Sequence, residues 1–381
     1  MVNHKLVLMI LFLSLLLFGC GKENVTYEEG FPTEDSPALM EFMKSYLLNG
    51  DNELVKEDNT FIYSVKSHTE KLGKINYYRF SEEQLEKEYK QLFETNDIQT
   101  SILKLKENIT TLHHALSSEE ASNLPSIEKV ESNQLKIQTR GNEGILDLDE
   151  LMNINNFKIA KNFIVNIIAA NENSFVLTLE DIEKVGMKRE LYYLFIDNNL
   201  SNITLTQLKH EETIDIVDSK KLENYYGSFP SVDENGKYKE LFNRIDILDT
   251  NKNKLIKIKS DDLLSNDGKF VYIGGDKKQL GEGRQRIQAI ENYIEGNDIY
   301  ESEFELKYKH ISKKLGLKTS GAGIVKINYF NKDYIVLSIK FDGVIVGEAG
   351  FTNVIIDLQD DKDSPTAYLV DLGIATPVRV K

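Results

Sequence analysis

The sequence predicts a mainly β fold that carries short helical insertions. Segments rich in β-branched and aromatic residues recur along the chain and are bounded by Asn, Asp and Gly, which is typical of strands. Stretches with helical spacing are few and short. The predicted strands are residues 61–65, 163–168, 174–179, 191–196, 269–273 and 334–339. These observations together favour a β architecture.

Three segments have apolar residues at helical spacing and are predicted as helices: residues 37–43, 81–89 and 284–294. Ser81 stands just before the second segment, where its hydroxyl can accept hydrogen bonds from the first helical amides. The three segments are short compared with the strand-rich remainder. We therefore expect them to be insertions between strands.

Acidic or amide-rich turns join several apolar segments, and the clearest predicted hairpin spans residues 247–258 around Asp249. Similar units are predicted at Glu94, Asp147, Asp197 and Asp357, and residues 303–306 are strand-like where a further unit is due. The units recur about every 52 residues, a length typical of β-propeller blades. We predict a degenerate propeller-like fold of six or seven blades. Another mostly β or α+β domain is the alternative.

Residues 264–273 read Leu-Ser-Asn-Asp-Gly-Lys-Phe-Val-Tyr-Ile. This segment resembles the Ser-x-Asp-Gly-Lys-x-Val/Leu-Tyr turn and strand of TolB-like bacterial propellers. The resemblance covers ten residues of the chain. It implies a propeller blade at this position.

The N-terminal residues form a targeting pattern. Lys5 is followed by an apolar run over residues 6–18, broken only by Ser14, and then by Gly19 and Cys20. A helix needs roughly 20 apolar residues to cross a membrane, so this run is too short for a permanent span. A basic end, a short apolar run and a small residue are typical of a cleaved export signal.

The tetrapeptide Leu17-Phe18-Gly19-Cys20 resembles the lipobox of bacterial lipoproteins, although Phe18 is larger than the residue usual at that position. The resemblance implies that cleavage follows Gly19 and that Cys20 becomes a lipidated N-terminus. Cys20 is also the only cysteine of the chain. The alternatives are an ordinary secretory signal in which Cys20 is incidental and a buried apolar helix with a free thiol.

The composition limits the partners of the chain. The formal net charge is −15, and removal of residues 1–19 removes Lys5 and no acidic residue. An acidic surface repels phosphate backbones and anionic phospholipid, so nucleic acid is not an expected partner. We expect membrane attachment through the lipid on Cys20, at the extracytoplasmic face of the cell membrane or at an outer membrane.

The predicted organisation has three parts. Residues 1–19 are the signal peptide, and residues 20–37 are the lipidated Cys20 with a flexible acidic tether rich in Gly and Pro. A first loop of the fold is the alternative for the tether. Residues 38–381 form a single β-rich extracytoplasmic domain.

Motifs that carry chemistry are weak in this sequence. Ser101 and Lys104 match Ser-x-x-Lys, but they fall in a predicted hairpin, whereas penicillin-binding proteins place this pair on a helix. Asp249-x-Asn251-x-Asn253 begins like a calcium loop, yet Lys254 occupies the position that needs Gly, so a turn is the better interpretation. No catalytic, cofactor or metal site is predicted. The only functional residues that the sequence predicts are Gly19 and Cys20, at the signal cleavage and lipidation site.

We therefore expect a non-catalytic, lipid-anchored envelope protein whose body binds another protein or an envelope component. A solute-binding subunit of a transporter or sensor is one alternative. An envelope hydrolase with an unfamiliar site is another.

Replacement of Cys20 by Ala tests the predicted anchor, because the thiol is the atom that would carry the lipid. We expect C20A to accumulate as unprocessed precursor or to appear in the medium, measured by fractionation and by incorporation of a labelled fatty acid. Processing and membrane retention equal to those of the parent chain would contradict the anchor.

Overall fold

A computed structural model gives the fold of most of the chain between residues 25 and 370. The described residues are 25–50, 54–57, 60–66, 75–112, 126–131, 133–138, 142–157, 163–170, 174–181, 191–208, 231–232, 238–240, 246–249, 251–259, 262–265, 267–274, 282–317, 322, 324–341, 350–359 and 364–370.

Within these residues the chain forms 23 strands and six helices, and the prediction of a mainly β fold is confirmed. The first strands are β1 Thr26–Glu29, β2 Leu54–Glu57, β3 Thr60–Lys66, β4 Ile75–Ser81, β5 Ser126–Glu131, β6 Gln134–Gln138, β7 Glu143–Asp147, β8 Phe163–Ala170, β9 Ser174–Asp181, β10 Leu191–Asp197 and β11 Ile203–Leu208. The later strands are β12 Ser231–Val232, β13 Tyr238–Glu240, β14 Asp246–Asp249, β15 Lys254–Lys257, β16 Asp262–Leu264, β17 Phe270–Ile273, β18 Gly283–Ala289, β19 Ser302–Leu306, β20 Ile324–Phe330, β21 Tyr334–Phe341, β22 Gly350–Asp357 and β23 Thr366–Val370. The helices are α1 Pro37–Gly50, α2 Glu82–Phe93, α3 Ile98–Leu112, α4 Leu148–Ile154, α5 Ile290–Glu295 and α6 Tyr308–Lys314.

The strands form six sheets that follow one another along the chain. The sheets, in strand order, are the first (β2-β3-β4), the second (β5-β6-β7), the third (β11-β10-β9-β8-β12), the fourth (β13-β14-β15), the fifth (β16-β17-β18-β19) and the sixth (β1-β23-β22-β21-β20). Neighbouring strands pair antiparallel except at two sheet edges, where β12 pairs with β8 and β1 pairs with β23 in parallel. Each sheet is therefore built chiefly from local, consecutive segments.

The sixth sheet is buried on both faces. Along β21, Ile335, Leu337 and Ile339 point into a core shared with the fifth sheet, while Tyr334 and Val336 point into a core shared with helices. Successive side chains of a strand point to opposite faces, which explains this alternation. A strand that must bury both faces reads as a continuous apolar run, as residues 334–337 do.

Helices α1, α2 and α3 cover the face of the sixth sheet that lies away from the fifth sheet. Leu39 and Phe42 of α1, Leu85 of α2 and Ile102 of α3 are nearly inaccessible to solvent in this core. We call these three helices the helical layer. Helix α1 contacts β2, which follows it in the chain, and α2 contacts β4, which precedes it.

Other sheets are joined by smaller contacts. The second and third sheets share one core that also contains Met152 of α4, and the fourth and fifth sheets share another around Ile247 and Val271. Gly144 lies at the first of these junctions, where a Cβ atom would approach Leu200 Cδ1 to 2.7 Å. Leu200 itself has a φ of +59°, an uncommon conformation for a leucine. A glycine at 144 thus leaves room for this side chain.

The predicted helix over residues 284–294 is wrong in its first half. Residues 283–289 form strand β18, and only Ile290–Glu295 is helical. Gln285 and Ile287 point inwards, while Arg284 and Arg286 point outwards and both pair with Glu303 of β19. This period of two is that of a strand, and the cross-strand charge pairs support it.

Part of the predicted tether belongs to the folded body. Residues 26–29 pair with β23, Val25 is buried, and the ring of Phe31 packs against Phe42. The apolar residues Val25 and Phe31 within this acidic segment account for the difference, because they enter the cores of the sixth sheet. Residues 20–24 lie outside the described residues.

Some of the acidic residues that were predicted in hairpin turns occupy such turns, and others do not. Asp197 and Asp249 end strands of the hairpins β10–β11 and β14–β15, as predicted, and β22 pairs with β23 after Asp357. Asp147 instead caps α4, accepting from the amides of residues 149 and 150, and Glu94 lies between helices α2 and α3. Hydrogen bonds from the following residues hold the pKa values of Asp147 and Asp197 below the usual range.

No helix among the described residues is long and apolar enough to cross a membrane.

Truncation of one core side chain on each face of the sixth sheet tests whether both faces stabilise the fold. We expect L337A and I355A each to lower the free energy of unfolding by about 2–5 kcal/mol, since both residues are fully buried. The control I145A removes a side chain that is 67% exposed and should change it by less than about 0.5 kcal/mol. Urea denaturation of the chain without residues 1–20 measures all three. An I355A effect as small as that of I145A would contradict burial of the helical face.

Candidate functional site

The most concentrated group of charged side chains in the described interior lies between the helical layer and the sixth sheet. Lys44 of α1 places its Nζ 2.9 Å from Glu41 Oε1 and also pairs with Glu82 of α2. Lys44 retains 4% and Glu41 8% of its solvent exposure. One cation therefore bridges two carboxylates in a site almost closed to water.

The second oxygen of Glu41 is held by the sixth sheet. Tyr329 Oη donates to Glu41 Oε2 at 2.9 Å, and Asn331 Nδ2 donates to the same oxygen at 3.2 Å. Burial, reinforced by the charge of Glu41, raises the pKa of Tyr329 well above its usual value. The phenol thus keeps its proton and remains a donor. We call Glu41, Lys44, Glu82, Tyr329 and Asn331 the buried polar network.

Local structure positions two members of this network, Asn331 and Glu82. The side-chain oxygen of Asn331 accepts from the amides of Asp333 and Tyr334 at 2.8 Å, which stabilises the β20–β21 turn and orients the amide nitrogen. Ser81 and Gln84 form a reciprocal capping box at the start of α2, so the predicted cap at Ser81 is confirmed. That cap positions Glu82 in the first turn of α2.

The chemistry of the buried polar network favours a structural role. Its two carboxylates and one ammonium leave one excess negative charge, which the hydroxyl of Tyr329 and the amide of Asn331 stabilise at Glu41. Buried ion pairs contribute little net stability, but removal of one partner is costly because the other charge stays buried. The network thus specifies how α1, α2 and the β20–β21 turn fit together.

The predicted site residues are placed as follows. Gly19 and Cys20 lie outside the described residues. Ser101 was expected in a hairpin, but it lies in helix α3, where apolar residues at helical spacing enter the core. Its side chain is fully buried, whereas Lys104 on the same helix is bonded to Asn96 in an exposed position. A buried serine hydroxyl is not accessible to a substrate in this conformation.

Asp249 acts as a turn residue, so the interpretation of residues 249–253 as a turn is confirmed. Its Oδ1 accepts from the amides of Asn251 and Lys252 at 3.1 Å each. The side chain of Asn253 accepts from Tyr193 of the third sheet at 3.2 Å and links the third and fourth sheets. No cluster of three metal-ligating side chains occurs among the described residues.

The buried polar network was not predicted from the sequence. A signal was present in α1, where Glu41 and Lys44 lie among Leu39, Phe42 and Met43 in an apolar helix. Charged residues three apart inside an apolar stretch indicate a buried pair. The partner Tyr329 is 288 positions away from Glu41, and no local pattern connects the two.

Comparisons with known proteins leave the chain without an assigned family. Neither a family model nor a curated protein matches it. A solved structure described as the crystal structure of the eukaryotic initiation factor is similar at a TM-score of 0.27 and 8% identity, covering 84% of this chain and 79% of that one. A TM-score this low supports no conclusion about fold or function.

Removal of the ammonium of Lys44 tests the buried polar network. We expect K44M to lower the free energy of unfolding by about 3–5 kcal/mol, because Glu41 would stay buried, and Glu82 half-buried, without their cation. The matched control is K252M, whose side chain is 70% exposed and lies 4.0 Å from Asp249; its effect should stay below about 0.5 kcal/mol. Equal effects in urea denaturation would contradict the assigned role.

Proposed function

We propose that the chain is a lipid-anchored extracytoplasmic envelope protein whose β-rich body binds another envelope protein. The lipobox-like residues Leu17–Cys20 and the position of the sole cysteine support the anchor. The acidic composition favours a protein partner over nucleic acid or an anionic lipid surface.

The observation that carries the proposed binding is the distribution of exposed apolar side chains. Of the five large hydrophobic residues that are exposed in the described part of the chain, three belong to residues 126–154: Val130 at 50%, Ile145 at 67% and Ile154 at 68%. In the same sheet, Leu135 and Ile137 point into the core. Exposed apolar residues that form one contiguous patch are typical of an interaction site, and we propose that these three residues contribute to such a patch. We call residues 126–154 the candidate binding segment.

The use of buried charges in the described interior favours a scaffold over an enzyme. Glu41 and Lys44 belong to the buried polar network, Asp249 and Asp357 accept from turn amides, and Asp262 accepts from the hydroxyl of Tyr293 at 2.8 Å. Burial, with the charge of Asp262, raises the pKa of Tyr293 to about 12. Each of these charged groups stabilises the structure around it through its hydrogen bonds or ion pairs.

We propose further that the six sheets form a degenerate propeller-like ring. Shared cores or side-chain contacts join the second sheet to the third, the third to the fourth, the fourth to the fifth and the fifth to the sixth. Strand β4 lies beside β5, and β2 lies beside β12 of the third sheet. The unbroken succession from the second sheet to the sixth supports a propeller-like arrangement of these blades. An experimental structure with sheets stacked in a line would contradict it.

Photo-crosslinking in intact cells tests the proposed binding. A photoreactive residue at position 145 should give a discrete adduct with one membrane-associated protein, and the same residue at Ile299, an exposed position outside the candidate binding segment, should not. A second exchange, V130D, should reduce that adduct at least about fivefold, because a charge in an apolar contact must be desolvated. Equal, diffuse labelling at both positions would contradict the candidate binding segment.

A further inference from the structure

We propose that the lipid anchor holds the β1 edge of the sixth sheet against the membrane surface, so that this side of the body is the membrane-facing side. This inference rests on the proposed anchor at Cys20 and goes beyond it by assigning an orientation. The surface that the β1 edge would contact is the headgroup layer of the bilayer.

The described part of the chain begins at Val25, whose side chain is buried. Strand β1 is then fixed at both ends by backbone hydrogen bonds: the amide of Thr26 donates to Pro365 at 3.0 Å, and that of Gly30 donates to Leu369 at 2.9 Å. Between them, residues 26–29 run parallel to residues 366–369. The residues at which the tether joins the described fold therefore belong to the sixth sheet.

The chain between the lipid and this sheet is short. Five peptide units join Cys20 to Val25, and even fully extended they reach only about 18 Å. A compact body of this length has a radius of gyration of about 20 Å and a diameter of roughly 50 Å. Because the tether is much shorter than the body is wide, the body cannot turn its opposite side to the bilayer.

The charge at the β1 edge determines how closely it approaches the lipid. Glu28, Glu29, Glu34 and Asp35 are all exposed beside the attachment point. An anionic headgroup layer repels these carboxylates over a Debye length of about 10 Å in 0.1 M salt. We expect the β1 edge to approach zwitterionic lipid closely and to stand further from anionic lipid at low salt.

A fluorophore on single introduced cysteines measures this orientation, because a lipidated Cys20 leaves no other thiol to label. The variants are E28C at the β1 edge and I154C on α4, whose core shares no residue with the sixth sheet. Both are reconstituted as full-length lipidated protein in phosphatidylcholine vesicles that carry a headgroup nitroxide quencher. The matched control inserts about 20 Gly/Ser residues after Lys22, which extends the maximum reach by roughly 70 Å.

We expect quenching at E28C to exceed that at I154C at least about twofold, since the reach of about 18 Å holds the β1 edge near the quencher. The insertion should abolish the difference, and phosphatidylglycerol should reduce quenching at E28C at low salt only. Equal quenching at both sites without the insertion, in protein that co-floats with the vesicles, would overturn the orientation and leave the anchor intact. Protein that carries no lipid and does not co-float would overturn the proposed anchor itself, and the orientation with it.

Discussion

Burial of both faces of the sixth sheet is the constraint on which the rest of the structure depends. One face of β21 and β22 packs on the fifth sheet and the other on the helical layer, so a single pair of strands belongs to two cores. Apolar surface buried on both sides of a strand contributes roughly twice the hydrophobic free energy of a strand with one wet face. The N-terminal strand β1 and the C-terminal strand β23 meet in this same sheet, which ties residues 26–29 to residues 366–369.

The buried polar network gives this packing its specificity. Apolar contacts alone would allow α1 to shift along the sheet, whereas Glu41 must stay within hydrogen-bonding distance of Tyr329 and Asn331 while Lys44 stays close to Glu82. A displacement that breaks one of these contacts leaves a buried charge unpaired. The buried charges of the described interior thus act on structure.

The sequence predicted what local patterns encode. Strands β9, β10 and β21 follow β-branched and aromatic runs, Ser81 caps a helix, and Asp249 makes a turn, all from residues within a few positions of each other. The prediction of a helix over residues 284–289 is wrong because Arg284 and Arg286 alternate with buried side chains at the period of a strand. Contacts between distant segments, such as Glu41 with Tyr329 and β1 with β23, leave no local pattern in the sequence. They can be identified only from the three-dimensional structure.

Native-state hydrogen exchange, followed by mass spectrometry under mild denaturant, tests most directly whether the sixth sheet is the most stable part of the protein. We predict that peptides covering Tyr334–Phe341 and Gly350–Asp357 exchange last, only on global unfolding. Peptides from Ser126–Glu131 and Glu143–Asp147 should exchange earlier by local opening. Exchange of the β21 and β22 amides before those of the second sheet would contradict the central position of the sixth sheet.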